Sequence, residues 1–196
     1  MYSITIVIKI QVILGSTRRG RFGDKPAKWV FEELKKQESI EAEFIDLRDW
    51  PLPFFDEPVS PSTSNGKYTN KLAAKWAKKI GEADAYIIVT PEYNHGYPAV
   101  LKNALDYVYV QWNKKPVAFV SYGASAGGTR AVQQLRQVVL ELQMVPIRAG
   151  VHFPFYWDNV DEKGNLKTDL QQRNLQTLFS QLMWWAKLLK SARTKK

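Results

Sequence analysis

Ala85-Tyr86-Ile87-Ile88-Val89-Thr90-Pro91-Glu92-Tyr93-Asn94-His95-Gly96 is an apolar run that stops abruptly in a short polar loop. The same break occurs twice more. Ile4–Leu14 runs into Gly15-Ser16-Thr17-Arg18-Arg19-Gly20-Arg21, and Val117–Val120 runs into Ser121-Tyr122-Gly123-Ala124-Ser125-Ala126-Gly127-Gly128. Strands buried on both faces of a parallel sheet read as near-continuous Val/Ile runs, and open α/β sheets take ligands at their strand carboxyl ends. Three decorated strand ends therefore predict one shared crevice.

Between these runs the apolar period switches to that of helices. Asp24 is placed to cap a helix with Pro26 in its first turn and Ala27, Val30, Phe31 and Leu34 on one face. A second strand is expected at Glu41–Leu47. The stretch Arg48–Tyr68, with Pro51, Pro53, Pro58 and Pro61, reads as a long irregular loop, of the kind that is usually functional or mobile. Leu72, Ala73, Trp76 and Ile80 mark the next helix. Leu101, Ala104, Leu105 and Val108 mark another that begins after Pro98, and Val132, Leu135, Val138, Val139 and Leu142 a fourth. A short fifth strand falls near Met144–Val151. Thr168 and Gln171 are spaced as a capping box for a last helix with the stripe Leu175, Leu178, Leu182, Trp185 and Leu189. Strands and helices alternate five times, which predicts a three-layer α/β/α sandwich around a five-stranded parallel sheet of order 2-1-3-4-5, as one domain over residues 1–196.

The totals narrow the chemistry. At 196 residues the chain suits one domain with a substantial core, and without Cys it has no disulfide, thiolate nucleophile or cysteine-ligated metal. With His95 and His152 as its only histidines, no metal site is expected. Ile4–Leu14 is interrupted by Lys9 and Gln11, is too short to span a bilayer and lacks a cleavage site, so no membrane span is expected and the expected location is cytoplasmic. That run exceeds an ordinary strand, which reads Met1–Thr5 as a loose extension. The net charge of +9 favours anionic partners, and part of it clusters at Lys187, Lys190, Arg193, Lys195 and Lys196. This cluster reads as a solvated helix end rather than a nucleic-acid surface.

Each loop has its own chemistry. In the first, Gly15 permits a tight turn, Ser16 and Thr17 add hydroxyls, and Arg18 and Arg21 offer guanidiniums. The helix beginning near Gly23 adds free amides, and together these suit a phosphate. The loop is neither a Walker A sequence nor a Gly-x-Gly-x-x-Gly fingerprint. In the second, backbone amides near Asn94 suit the polar edge of a heterocycle and Tyr93 can lie along a ring. Glu92, beside a helix entry, reads as structural rather than as an acid or base. In the third, Gly123-Ala124-Ser125-Ala126-Gly127 matches the nucleophile elbow Gly-x-Ser-x-Gly, which would make Ser125 an esterase nucleophile. His152 follows it, but only Glu141 lies between them and Asp158 comes after, so the triad lacks an acid in the required order. A loop of small residues that lets a flat ring approach the backbone fits the third loop better.

Taken together, Gly15-Ser16-Thr17-Arg18, Pro91-Glu92-Tyr93-Asn94 with Gly96-Tyr97-Pro98, Leu101-Lys102-Asn103-Ala104-Leu105-Asp106 and Gly123–Gly128 resemble the NADPH-dependent FMN reductase family. This is a group of flavodoxin-like flavoproteins that includes quinone reductases and azoreductases, and the likeness runs from about Ile8 to Val151. It implies that Ser16 and Arg18 bind the FMN phosphate, with Arg21, Phe22 and Gly23 closing the loop around it. Pro91, Glu92, Tyr93 and Asn94 would border the flavin, and Tyr122, Gly123, Ser125 and Gly127 its other edge. It further implies NADPH as hydride donor to flavin N5, a ping-pong exchange with a quinone, azo or flavin acceptor, no catalytic side chain, and a homodimer or homotetramer with Lys102 and Asp106 near its interface. The cofactor carries the redox chemistry, which accounts for the missing acid–base pair. Charge and position suggest Arg19 for the extra phosphate of NADPH. A passive electron-carrying flavodoxin is the other flavoprotein reading, though arginines in the phosphate loop fit it less well. The family motifs leave three features unexplained: the long first strand, the aromatic run Phe153–Trp157 and the tryptophan-bearing last helix. Trp112 reads either as a cover over a neighbour's flavin or as a surface aromatic.

Overall fold

The structure is a computed structural model that describes residues 7–194; the expected extension at Met1–Thr5 lies outside the described residues. Its strands are β1 (Ile8–Leu14), β2 (Ile40–Asp46), β3 (Ala85–Pro91), β4 (Pro116–Tyr122) and β5 (Val145–Phe153). All pair in parallel, in the order β2-β1-β3-β4-β5. The helices are α1 (Asp24–Lys35), α2 (Lys71–Gly81), α3 (Ala99–Asp106), α4 (Thr129–Glu141) and α5 (Asp169–Thr194). This is the expected doubly wound, flavodoxin-like sandwich.

Side-chain alternation along the strands divides the core in two. Ile13, Tyr86, Ile88, Val117 and Phe119 meet α2, α3 and α4 on one face. Ile10, Val12, Leu14, Ile87, Val89, Val120 and Val151 meet α1 and α5 on the other. β3 and β4 are buried along their whole length, which is why they read as unbroken apolar runs. The chain leaves β1 toward one edge of the sheet and returns at β3 to build toward the other. The loops after β1 and β3 therefore flank the point where the winding reverses, and their ends are level because Leu14 pairs with Val89.

Several local expectations are corrected. Gly23 rather than Asp24 is the residue before α1, and Asp24 sits in the first helical turn with its carboxylate given to Arg21. Gln171 Nε2 reaches Asn159 Oδ1 (3.4 Å) instead of closing a capping box on Thr168. β5 is nine residues long and shifts register opposite Val117–Phe119, so it takes in Phe153, the first of the unexplained aromatics. Trp112 is neither a surface aromatic nor a cover over a neighbour. It is fully buried against Tyr86 and Trp76, at ring distances of 4.9 and 6.4 Å, and its Nε1 donates to Leu105 O. The stretch after β2 opens with a 3₁₀ turn at Leu47–Asp49 and then packs Trp50, Leu52, Phe55 and Tyr68 on the α2–α3 core, with Asn103 bonded to its backbone.

Candidate functional site

At the carboxyl edge of the sheet the three loops enclose a cleft of about 290 Å³. Of the residues expected there, it is lined by Arg18, Arg21, Phe22, Pro91, Glu92, Tyr93, Tyr122 and Gly123, with Gly20 and Ala124 beside them. Ser16, Gly23, Asn94, Ser125 and Gly127 lie outside the lining. Ser16 is buried just beneath it and shares a hydrogen bond with Tyr93 Oη (2.9 Å), which joins the first loop to the second. Asn94 and His95, both with positive φ, form the exposed tip of a two-residue turn closed by the reciprocal Tyr93–Gly96 backbone bonds.

The two arginines of the first loop have opposite fates. Arg18 is exposed at the cleft and its guanidinium has no protein partner among the described residues. Arg21 is buried. Its Nε bonds Asp24, Nη1 bonds Ser16 O and Asp46, and Nη2 bonds Asp24 and Asp46. A guanidinium has five N–H groups, so none of Arg21's remains for a phosphate, and the expectation that it forks onto one is corrected. Burial works against the Arg21 charge, but Asp46 and Asp24 outweigh it and hold its pKa above the ordinary value. Burial likewise pushes the Asp46 carboxyl up, and the bonds from Arg21 and the Arg48 amide more than reverse this, leaving it below the usual range. Arg19 is exposed and outside the cleft lining.

Tyr122, at the end of β4, is 4 % exposed, and its hydroxyl has no hydrogen-bond partner. That oxygen lies beside Gly23 and Ser16 without the alignment to bond either, and burial, then Tyr93, raises its pKa. It is a neutral, unpartnered hydroxyl. A Cβ on Gly23 would stand 2.6 Å from it, so only glycine fits there.

Glu92 lines the cleft, but its carboxylate is engaged by the protein. Its carboxylate accepts from the Arg130 amide (3.0 Å) and Arg130 Nη1 (2.9 Å), holding the N-terminal end of α4. Ser125 is exposed, and the one histidine that follows it, His152, bonds Ser121 Oγ through Nδ1 (2.7 Å). Ser121 Oγ donates in turn to Gly127 O, so this pair braces the third loop and the esterase reading has no base for Ser125. Burial and Arg136 lower the His152 pKa, consistent with a neutral structural imidazole. Lys102 and Asp106, expected near a subunit interface, pair with each other at 2.5 Å.

Tyr156 and Trp157 form a wall of the cleft that the motifs did not reveal. They sit in a 3₁₀ turn at Tyr156–Asp158, reached through Phe155 at φ 44° and held by bonds from the Phe155 and Tyr156 amides to Ala124 O and Gly123 O. The Tyr156 ring packs on Phe22 (5.2 Å) and Tyr122 (5.9 Å), closing an aromatic collar round the first loop. The only signal in the sequence was the aromatic run, which carries no address for its partners.

A five-stranded parallel sheet of this order, with its cleft at the reversal point, defines a flavodoxin-like scaffold. The chain belongs to the NADPH-dependent FMN reductase family, matching it over residues 8–158. It is therefore an oxidoreductase of the kind that works with FMN and NAD(P)H. It is 42 % identical over 153 residues to an NAD(P)H-dependent FMN reductase of Schizosaccharomyces pombe, covering 77 % of this chain and 76 % of that one. It is 34 % identical over 142 residues to an NAD(P)H:quinone oxidoreductase of Solanum tuberosum, covering 70 % of each. Among solved structures, the flavoenzyme NAD(P)H:(acceptor) oxidoreductase FerB of Paracoccus denitrificans has the same fold, with a TM-score of 0.70 at 23 % identity over 92 % of this chain and 98 % of that one.

The residues present fit FMN. The orphaned Tyr122 hydroxyl, the unpaired Arg18 guanidinium and the loop amides supply donors for a phosphate, and the small-residue loop Gly123–Ala124 leaves a flat approach for a ring. No helix among the described residues is long and apolar enough to cross a membrane, and no group of three potential metal ligands occurs among them.

Proposed function

We propose that the cleft holds FMN with its phosphate between Arg18, the Ser16–Gly23 loop and Tyr122 Oη, and its ring along Pro91–Tyr93 and Gly123–Ala124. Held there by Arg18, the Ser16–Gly23 loop and the Pro91–Tyr93 and Gly123–Ala124 segments, FMN would supply two-electron hydride chemistry between NADPH and a quinone, azo or flavin acceptor. The chain's own part is to bind and orient. Arg18 supplies a charge-assisted hydrogen bond, a class worth about 1.5–3 kcal/mol each, and Tyr122 adds a donor that burial has already stripped of water. Tyr156, Trp157 and Phe22 keep water from the anionic end. Glu92, engaged by Arg130, holds α4 in place and moves no proton.

The observation that carries this reading is the orphaned Tyr122 hydroxyl aimed into a loop with an unpaired arginine. Purified protein loaded with FMN is expected to show a protein-bound flavin spectrum that bleaches on anaerobic NADPH addition and recovers when a quinone is supplied. Arg18→Ala is expected to weaken FMN retention tenfold or more, about 1.4 kcal/mol, in a fluorescence-quenching titration. Unchanged titration would remove Arg18 from the phosphate site, and a protein that takes up no FMN would end the proposal.

A further inference from the structure

The carbonyls of Ser16, Thr17 and Arg18 are each held by a guanidinium. Ser16 O accepts from Arg21 Nη1. Thr17 O and Arg18 O accept from Arg48 Nε (3.4 Å) and Nη2 (2.5 Å). Arg48 is exposed and not part of the cleft lining, so Thr17 O and Arg18 O are drawn to the outer side of the loop, while Ser16 O turns to the buried Arg21 guanidinium. In a trans peptide the C=O and the next N–H point in opposite directions, and no peptide bond among the described residues is cis. Drawing Thr17 O and Arg18 O outward therefore turns the amides of Arg18 and Arg19 to the inner side, where the Arg18 amide also reaches Ser16 Oγ (3.4 Å). Successive inward amides make an anion-binding concavity.

Asp46, the last residue of β2, bonds the Arg21 guanidinium and the Arg48 backbone amide. Its Oδ1 accepts from Arg21 Nη1 (2.8 Å) and from the Arg48 amide (2.9 Å), and its Oδ2 accepts from Arg21 Nη2. None of these groups has been placed in contact with a ligand. Yet one carboxylate at the end of β2 engages both arginines that bond the carbonyls of the loop after β1.

We infer that Asp46, Arg21 and Arg48 are positioning residues that shape the Ser16–Arg19 amides into a receptor for a phosphate monoester, and so make the protein discriminate FMN from the same flavin without its phosphate. The inference rests on the proposed FMN site. It sets Arg18 as the arginine that contacts the anion and Arg21 and Arg48 as the arginines that hold the backbone which does the same.

The test titrates FMN and riboflavin into purified protein by flavin fluorescence quenching, which needs no turnover. Wild type is expected to bind FMN at least tenfold more tightly than riboflavin. Arg48→Lys keeps the positive charge but loses the fork that reaches two carbonyls. It is expected to weaken FMN about tenfold and leave riboflavin within twofold. Asp46→Asn removes a negative charge near the phosphate, so charge alone would tighten FMN binding, whereas loss of the clamp weakens it. Tighter FMN binding in Asp46→Asn, wild-type FMN affinity in Arg48→Lys, or an equal loss for both flavins would overturn the inference while leaving the FMN site intact. Equal binding of FMN and riboflavin by wild type would remove the phosphate site and the clamp together. If Asp46→Asn does not fold, Arg48→Lys decides alone.

Discussion

The proposed phosphate site would use the Tyr122 hydroxyl at the expense of the empty protein. A buried hydroxyl with no partner costs about 1–3 kcal/mol, and Tyr122 Oη is such a group. Tyr122→Phe should therefore raise the stability of the flavin-free protein by up to about that amount, read as a higher urea midpoint with unchanged slope. FMN affinity should fall in the same variant. A Tyr122→Phe protein that is no more stable without flavin would mean that the hydroxyl is already satisfied. The residue types of this site were legible in the loops, and their division of labour was not. Arg18 and Arg21 are equivalent as letters. Only the arrival of Asp46 from β2 beside Asp24 makes one a structural ion-pair centre and leaves the other free.

At the level of elements, the loop between β4 and α4 depends on backbone that L residues avoid. Gly127 and Gly128 have φ of 59° and 85°, and a Cβ on Gly128 would lie 2.8 Å from Ser121 Cβ and 2.9 Å from Tyr122 N and O. Gly20 also has positive φ (63°), but nothing lies within 4 Å of a Cβ there. Gly20→Ala should then cost only the left-handed penalty of about 1–2 kcal/mol. Gly128→Ala adds a clash with backbone that cannot give way and should cost about 3 kcal/mol or more. Denaturant titration of the two variants checks the order, and equal losses would show that the β4–α4 turn relaxes freely. The strands and helices themselves were readable because burial on both faces leaves runs such as Ala85–Val89, and one buried stripe leaves the period of Leu101, Ala104 and Leu105. The capping box at Thr168 failed because Asn159, from the turn before α5, competes for the Gln171 side chain.

At the scale of the whole molecule, part of the basic C-terminal cluster is tied down by pairing. Lys190 and Arg193, from the cationic end of α5, both reach Asp84 (2.6 and 3.1 Å), which ties the last helix to the segment before β3. Near them Lys115 is buried. Its Nζ donates to Gly81 O and Tyr86 Oη, both at 3.1 Å. Burial, then Arg193, lowers its pKa to about 8. The folded value lies below the unfolded value of about 10.4, so between those limits the unfolded chain holds more protons and stability rises with pH. This group contributes a rise of about 3 kcal/mol at most across that window. Lys115→Met should remove the rise, and the difference between variant and wild type in denaturant stability should shrink from pH 7 to pH 10. A constant difference would mean that Lys115 stays charged throughout.

The alternation of strands and helices and the three loops that follow the apolar runs were written in local pattern. Periodicity and turn chemistry involve neighbours a few positions apart, and those neighbours are fixed by the chain itself. Which groups those loops spend on one another was settled only when distant segments met. Asp46 claims Arg21 across 25 positions, Arg130 claims Glu92 across 38, and Trp112 fills the core beside Tyr86 instead of facing outward. A polar side chain bonds to whichever competitor packs nearest, and an aromatic goes where volume remains to be filled. Both outcomes depend on three-dimensional proximity that no local spacing encodes.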